Sequence, residues 1–320
     1  MKSKLFICRS LTLLVAGLMC FFYASATDGY SGMVGDLNGD GRLSITDVTD
    51  LINDALNDNG VTDINDINGD GHLSITDITS LIDNLLCPDQ FNQRFVANGV
   101  FFEMVTVEGG SFVMGTNDQN SDANFDEFPA HQVALSHFLI GKTEVTQELW
   151  EAVMGYNPSG CRINPLCPVE NVSWNDCQLF ISNLNALTGC SFRLPTEAEW
   201  EFAAQGGNKS KHYKFAGSDN YDAVAWCEEN SNDLTQPVGK KKANELGTYD
   251  MSGNVWEWCY DWWGMFTSDN CINPTGPETG TERIVHGGCM RGHRRFCRIG
   301  YRMCYGPDER RIDVGLRLAL

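Results

Sequence analysis

The sequence predicts an α+β fold in two unequal parts, and three observations carry that expectation. Helical spacing and capping signals gather in residues 36–86 and 146–206, and strand-like runs with turn glycines fill residues 101–141. Beyond Gly206, Gly, Asn, Asp and Trp dominate, the composition of long loops laid over a small sheet. At 320 residues with 42% apolar composition, the chain has room for one large domain and one small all-α module.

The first segment, residues 1–26, reads as a secretory signal. Lys2, Lys4 and Arg9 precede or enter an apolar run, and Ala24-Ser25-Ala26 forms a small-residue cleavage site, with cutting expected after Ala26. Cys20 is a poor lipidation site because Met19 before it is large. No later stretch reaches the ~20 apolar residues that span a bilayer. The expected product is secreted, periplasmic or displayed at the cell surface, without a transmembrane segment. Removal of three cations takes the formal charge from -19 to -22. Residues 27–90 hold thirteen Asp and one Arg, so the acidity is local and points to cations. Eleven of thirteen cysteines remain, an odd number, and export permits disulfides; Cys161 and Cys167 are close enough in sequence to close a loop, but pairing is not readable.

Residues 27–87 contain an internal repeat: "DLNGDGRLSITDVTDLIND" from Asp36 recurs as "DINGDGHLSITDITSLIDN" from Asp66. The D-x-N-x-D-G spacing converges oxygen ligands on a calcium ion, with glycine at the sixth position for the turn. The first loop offers Asp36, Asn38, Asp40, the Arg42 carbonyl, Ser44 and Asp47. The second offers Asp66, Asn68, Asp70, the His72 carbonyl, Ser74 and Asp77. Val48, Leu51, Ile52 and Ala55, and Ile78, Leu81, Ile82 and Leu85, then fall at helical spacing, so two loop-helix units can bury their stripes together. Position 12 is Asp instead of the EF-hand Glu, and no helix precedes the first loop. This module resembles a type I dockerin, which implies two calcium ions, a cohesin-type partner and folding that depends on the metal.

With 88–100 as the linker, residues 101–320 form the large domain. "FFEMVTVEGGSFVMG" and "HQVALSHFLIG" read as strands. Thr146 caps a helix over "QELWEAVM", and Ser173 caps one over "WNDCQLFISNLNALT". The latter carries an apolar stripe of Cys177, Phe180, Ile181, Leu184 and Leu187, and Gly189 stops it. Thr196 and Glu199 make a capping box that turns Trp200 and Ala203 inward.

The blocks "EVTQELWEAVMG", "PVENVSWNDCQLFISNLN", "FRLPTEAEWEFAA", "LGTYDMSGNVWEWCYDWW" and "VGLRLAL" resemble, in order, the formylglycine-generating-enzyme or sulfatase-modifying-factor family. The resemblance implies a C-type-lectin-like domain. It also nominates Asn254 and Glu257 for a further calcium site; the plain alternative is a turn whose Trp256 and Trp258 are core.

That family oxidises a sulfatase cysteine to formylglycine with a copper ion held by two cysteines in a C-x4-C arrangement. Here Cys297 falls on the second cysteine, Gly292 replaces the first, and Cys289 replaces a serine of the motif. Copper is therefore expected only if the protein is an oxidase after all, and Cys297 is otherwise a small buried hydrophobe. His293 has no carboxylate or second histidine at ligand spacing and reads as a polar surface residue.

From Gly287 to Leu318 a frame of "GG", "CR", "YR", "PD" and "GLRL" alternates with unlike residues, which resembles the retroelement-diversified variable region of lectin-fold proteins. The expected ligand-binding residues are Met290, Arg291, His293, Arg295, Phe296, Tyr301, Met303, Tyr305, Glu309, Arg311 and Asp313. Residues 283–317 hold nine Arg against three acids, in an otherwise acidic domain. Arg forks match carboxylate, sulfate or phosphate, and the aromatics stack on sugars or planar groups. Frame arginines such as Arg298, Arg302 and Arg317 are expected to pair with core carboxylates such as Glu197, Glu199 or Glu257, leaving slot arginines to solvent. Nucleic acid is excluded as a partner by export and acidity. The expected function is calcium-dependent binding of a glycan or protein; the alternatives are a formylglycine-generating oxidase and a noncatalytic component of a polysaccharide-degrading assembly.

Overall fold

The computed structural model describes residues 32–39, 43–57, 59–62, 64–67, 72–86, 93–118 and 122–320. The expected signal segment, the whole 88–92 stretch, and the loop positions Asp40, Arg42, Asn68 and Asp70 lie outside the described residues.

The repeat gives two helices, α1 (Ile45–Asn57) and α2 (Ile75–Leu86). Val34, Val48, Leu51, Ile67, Ile78 and Leu81 form a small core of their own between them. The duplication extends to hydrogen bonds. Ser44 N–H and Ser74 N–H donate to Asp47 and Asp77 at 2.7 and 2.8 Å, and the Thr49 and Thr79 hydroxyls donate one turn back to Ile45 and Ile75.

The module also meets the large domain directly. Strand β1 (Gly32–Met33) pairs antiparallel with β2 (Gln93–Ala97), placing Gly32 opposite Val96 and Met33 opposite Phe95. Val34 N–H continues the ladder to the Arg94 carbonyl at 2.7 Å. Met33 joins the large domain's core beside Phe95 and Phe180. Of the expected linker 88–100, residues 93–100 belong to the sheet and residues 88–92 lie outside the described residues. Residues 93–97 are a strand buried from Phe95 to Ala97, and Asn98-Gly99, both at positive φ, turn the chain into β3 (Val100–Val107). An Asn-Gly pair between apolar runs is a hairpin signal.

The described residues hold three small sheets. One runs β1-β2-β3-β6, with β6 at Phe138–Gly141. A second runs β4-β5-β8 (Gly110–Met114, His131–Leu135, Cys271–Ile272). The third runs β10-β9-β7-β11 (Met303–Tyr305, Arg283–His286, Trp256–Trp262, Val314–Leu316), with β11 parallel to β7.

The predicted caps are present. Thr146 accepts from Leu149 N–H at the start of α3 (Gln147–Met154), and Ser173 caps α4 (Trp174–Thr188). Thr196 and Glu199 form the capping box of α5 (Glu197–Ala204). Gly155 and Gly189 end α3 and α4 in the left-handed region. Within α4 the stripe is buried except at Leu187, which is exposed. Helix α5 is buried along its whole length, three glutamates included. The C-terminus closes the fold: Leu139 and Gly141 donate to Leu320 and Leu318, and Arg193 exchanges two hydrogen bonds with Ala319.

Candidate functional site

The segment after β9 is shaped by two glycines at positive φ, Gly287 and Gly288. A Cβ at Gly288 would lie 2.8 Å from the Cys297 sulfur, so only glycine lets the chain fold back onto the turn Arg294–Cys297. Met290 N–H donates to the Asn254 carbonyl, and the Ser231 hydroxyl donates to the Met290 carbonyl at 2.6 Å.

Three frame arginines then lock the segment to the body of the domain. Arg298 makes a two-pronged pair with Glu127 at 2.9 and 2.6 Å. Arg302 grips Glu197 at 2.6 and 3.0 Å and also donates to the carbonyls of Asp126 and Gly264. Arg317 grips Glu257 at 2.8 and 2.7 Å and donates to Gly141 and Tyr249. All six residues are buried. In a low-dielectric interior such fork-to-fork pairs fix geometry, because neither charge tolerates losing its partner. Arg298 chooses Glu127, a residue outside the expected set, and Glu199 is taken by Arg193 instead.

Between these anchors the expected binding residues divide. Arg291, His293, Arg295 and Glu309 are exposed; Phe296, Met303, Tyr305, Arg311 and Asp313 are half-buried. Met290 and Tyr301 correct the expectation, being only 1% and 5% exposed. Met290 packs in the main core, and Tyr301 lies against Trp256 and Phe296, because the anchored frame folds those two positions inward.

The exposed residues have light supports. Arg291 donates to the Asp233 carbonyl at 3.1 Å, and Arg295 lies 5.0 Å from the Phe296 ring centre. Arg311 pairs with Asp313 at 3.2 Å and covers the Tyr305 ring at 4.4 Å. Burial, first, pushes the Tyr305 phenol up to about 12, so it stays a neutral donor. His293 has the carboxylate neighbours that its sequence surroundings lack. Glu228, Glu229 and His293 bring one ligand atom each within 4.8 Å of one another. Its Nδ1 accepts from Arg295 N–H at 3.2 Å, which leaves Nε2 carrying the proton toward Glu229, 3.7 Å away. Arg294 also lies 4.0 Å from Glu229, so this carboxylate already has a cation beside it.

Of the residues nominated for calcium in the large domain, Glu257 spends both oxygens on Arg317 and accepts the Trp200 indole N–H at 2.6 Å. Asn254 turns instead to Glu144 and Gln236. The two side chains thus serve different partners. In the repeat, Asp47 gathers N–H donors from Leu37, Asn38 and Ser44, which brings both ends of the first loop onto one carboxylate; Asp36 and Asp77, the latter in the first turn of α2, are also buried. Ser74 bonds Asp77 in the same way, and Asn38, Asp66 and His72 lie on the same two loops. This oxygen-rich closure fits a hard cation such as calcium.

The copper arrangement does not fit. Gly292 supplies no sulfur, and a Cβ there would sit 3.3 Å from the Cys289 sulfur. Cys297 is wholly buried among Phe215, Val224, Ala225 and Cys227. A hydrogen bond with Cys227, then burial, pushes its thiol well above the ordinary range, and burial pushes Cys289 up to about 12. Neither is poised as a thiolate.

The sequence pattern of the sulfatase-modifying factor enzyme 1-like domain matches residues 95–320. Chaperone protein LppX of Paenibacillus barcinonensis is 35% identical over 266 residues, covering 68% of this chain and 88% of that protein. Formylglycine-generating enzyme of Thermomonospora curvata is 30% identical over 286 residues, covering 68% and 92%. Among solved structures, Treponema denticola variable protein 1 superposes with a TM-score of 0.65 at 33% identity, covering 71% of this chain and 98% of that one. PvdO from Pseudomonas aeruginosa gives 0.60 at 27%, covering 68% and 93%. A pattern match over residues 95–320, together with a relative 35% identical over 68% of the chain, leads to one conclusion: the chain belongs to the sulfatase-modifying factor enzyme 1-like family.

Proposed function

We propose that this protein is an exported binding protein: its family domain takes up a glycan or protein ligand bearing anionic groups on the exposed part of residues 291–313, and its N-terminal repeat is a dockerin-like module holding two calcium ions. The observation that carries the reading is the division of labour among arginines. Arg298, Arg302 and Arg317 are consumed by buried carboxylates, whereas Arg291, Arg295 and Arg311 present forks at or near the surface. Guanidinium forks beside Phe296 and Tyr305 suit carboxylate, sulfate or phosphate attached to a planar or sugar-like body. The likeness to a protein named for its variability supports a scaffold whose slots change while its anchors persist. The missing first cysteine at Gly292 and the buried Cys297 weigh against oxidase chemistry.

The test screens the calcium-loaded protein and an Arg291→Ala/Arg295→Ala/Arg311→Ala variant against glycan and protein arrays. In parallel, copper-treated protein is incubated with oxygen and a cysteine-bearing sulfatase peptide. Array binding lost in the variant, without thiol-to-aldehyde conversion, supports the reading. Conversion of the peptide would establish the oxidase, and capture by a cohesin-type domain with a silent arginine face would establish a scaffold.

A further inference from the structure

Two buried thiols from distant parts of the chain meet beneath this surface. Cys227 and Cys297 are both wholly buried, share an apolar cluster with Phe215, Val224 and Ala225, and are both unbonded thiols; the nearby Cys227 is the first cause that raises the Cys297 thiol. Their backbones are pinned by one common segment. Residue 226 bridges Gly253, and Asn254 N–H donates to the Trp226 carbonyl at 2.8 Å. The Ser252 hydroxyl donates to the Cys297 carbonyl at 2.8 Å. On either side, Cys227 N–H is held by Asn230 at 3.0 Å, and Glu228 N–H donates to the Gly292 carbonyl at 3.1 Å. Gly288 leaves the space that the Cys297 sulfur occupies. The two cysteines are therefore held in one cluster by segments whose backbones are fixed on both sides.

We propose that Cys227 and Cys297 are a disulfide-forming pair, closed by exchange with a small-molecule disulfide oxidant as the chain folds. One thiol loses its proton and attacks the oxidant, giving a mixed disulfide and one reduced thiol. The second, also deprotonated, displaces the other half. The bond Cys227–Cys297 forms, two protons and two electrons pass to the oxidant, and two equivalents of its thiol leave. Closure as the chain folds accounts for reaction of groups that the finished fold shields.

The bond joins two segments that face each other across the binding surface. Residues 228–233 supply Glu229 to His293 and Arg294, and the Asp233 carbonyl to Arg291. The turn ending at Cys297 carries Arg294 and Arg295. A covalent tie at the base of both would hold their separation whatever the surface binds, so the inference stands apart from the ligand reading.

The experiment refolds the full chain with calcium in a mixture of oxidised and reduced glutathione, blocks free thiols with N-ethylmaleimide under denaturing conditions, and maps peptides without reduction. The expected product is a peptide pair linking Cys227 to Cys297 and lacking the mass of two hydrogens. In the oxidised protein the urea midpoint is higher than after reduction, and Cys227→Ala abolishes that difference. Full maleimide labelling of both residues, or a link from Cys297 to Cys289 instead, overturns the proposal. Because the wild-type map decides by itself, a poorly folding variant does not blur the outcome.

Discussion

Arg317 and Glu257 face each other through two hydrogen bonds of 2.8 and 2.7 Å, and neither side chain reaches solvent. Around them lie Glu144 and Asp250, two further buried acids whose carboxyl groups are pushed upward by burial first; Asp250 reaches about 6. One guanidinium thus neutralises an otherwise acidic interior. Replacement by Met leaves Glu257 charged beside other carboxylates, and the expected loss is about 3–5 kcal/mol of unfolding free energy. Urea denaturation checks this. Arg317→Lys keeps the charge but not the fork, and falls between the two.

The division between anchor and slot has a thermodynamic signature. Arg291→Ala and Arg295→Ala remove exposed side chains, so each is expected to change stability by no more than about 0.5 kcal/mol. Met290→Ala empties a core position and is expected to cost about 2–5 kcal/mol. Equal losses at the three positions would show that the arginines are structural.

Acidity provides a third test. Burial, reinforced by the charge of Glu197, raises Glu201 and Asp261 to about 8. The folded state therefore keeps protons that the unfolded chain releases above pH ~4. Their stabilising contribution is complete below that point and is lost as pH climbs to about 8. Glu197 acts oppositely: against the cost of burial, Arg302 and His286 draw it down to about 2, so its contribution falls away only between about 4.5 and 2. The melting temperature is expected to be higher near pH 5 than near pH 8.5. Asp261→Asn and Glu201→Gln should flatten that slope.

Calcium removal is the fourth. Asp47 and Asp77 each close a loop by accepting from Ser44 or Ser74. If carboxylates crowd there to meet a cation, EGTA should abolish the circular-dichroism signal of α1 and α2. The same loss should follow Asp47→Ala combined with Asp77→Ala. An unchanged spectrum would remove calcium from the account.

Much of this fold was legible because capping is local. Thr146, Ser173 and Thr196 each find their backbone partner within three residues, so their types alone mark where helices begin. The periodic stripes of the repeat were legible for the same reason. Long-range pairing was not. Composition implies that buried arginines need carboxylates, yet the choice of Glu127 for Arg298 depends on a short turn at Phe125–Glu127 that Glu127 itself caps through Asn124 N–H. Likewise Glu229 meets His293 only after the chain has folded back across some sixty residues, and Met290 is drawn inward by Asn254 and Ser231. The strand at Gln93–Ala97 is a different case, since Asn98-Gly99 announced its hairpin in the sequence.

That hairpin matters beyond the fold. Its outer strand accepts Gly32 and Met33 as an edge extension, so the helical pair and the arginine-bearing face are parts of one continuous sheet-and-core structure. A partner that grasped the helices would hold the large domain through this sheet edge. The joint is also only two residues wide. It is the place where pulling on the N-terminus would peel the molecule open first.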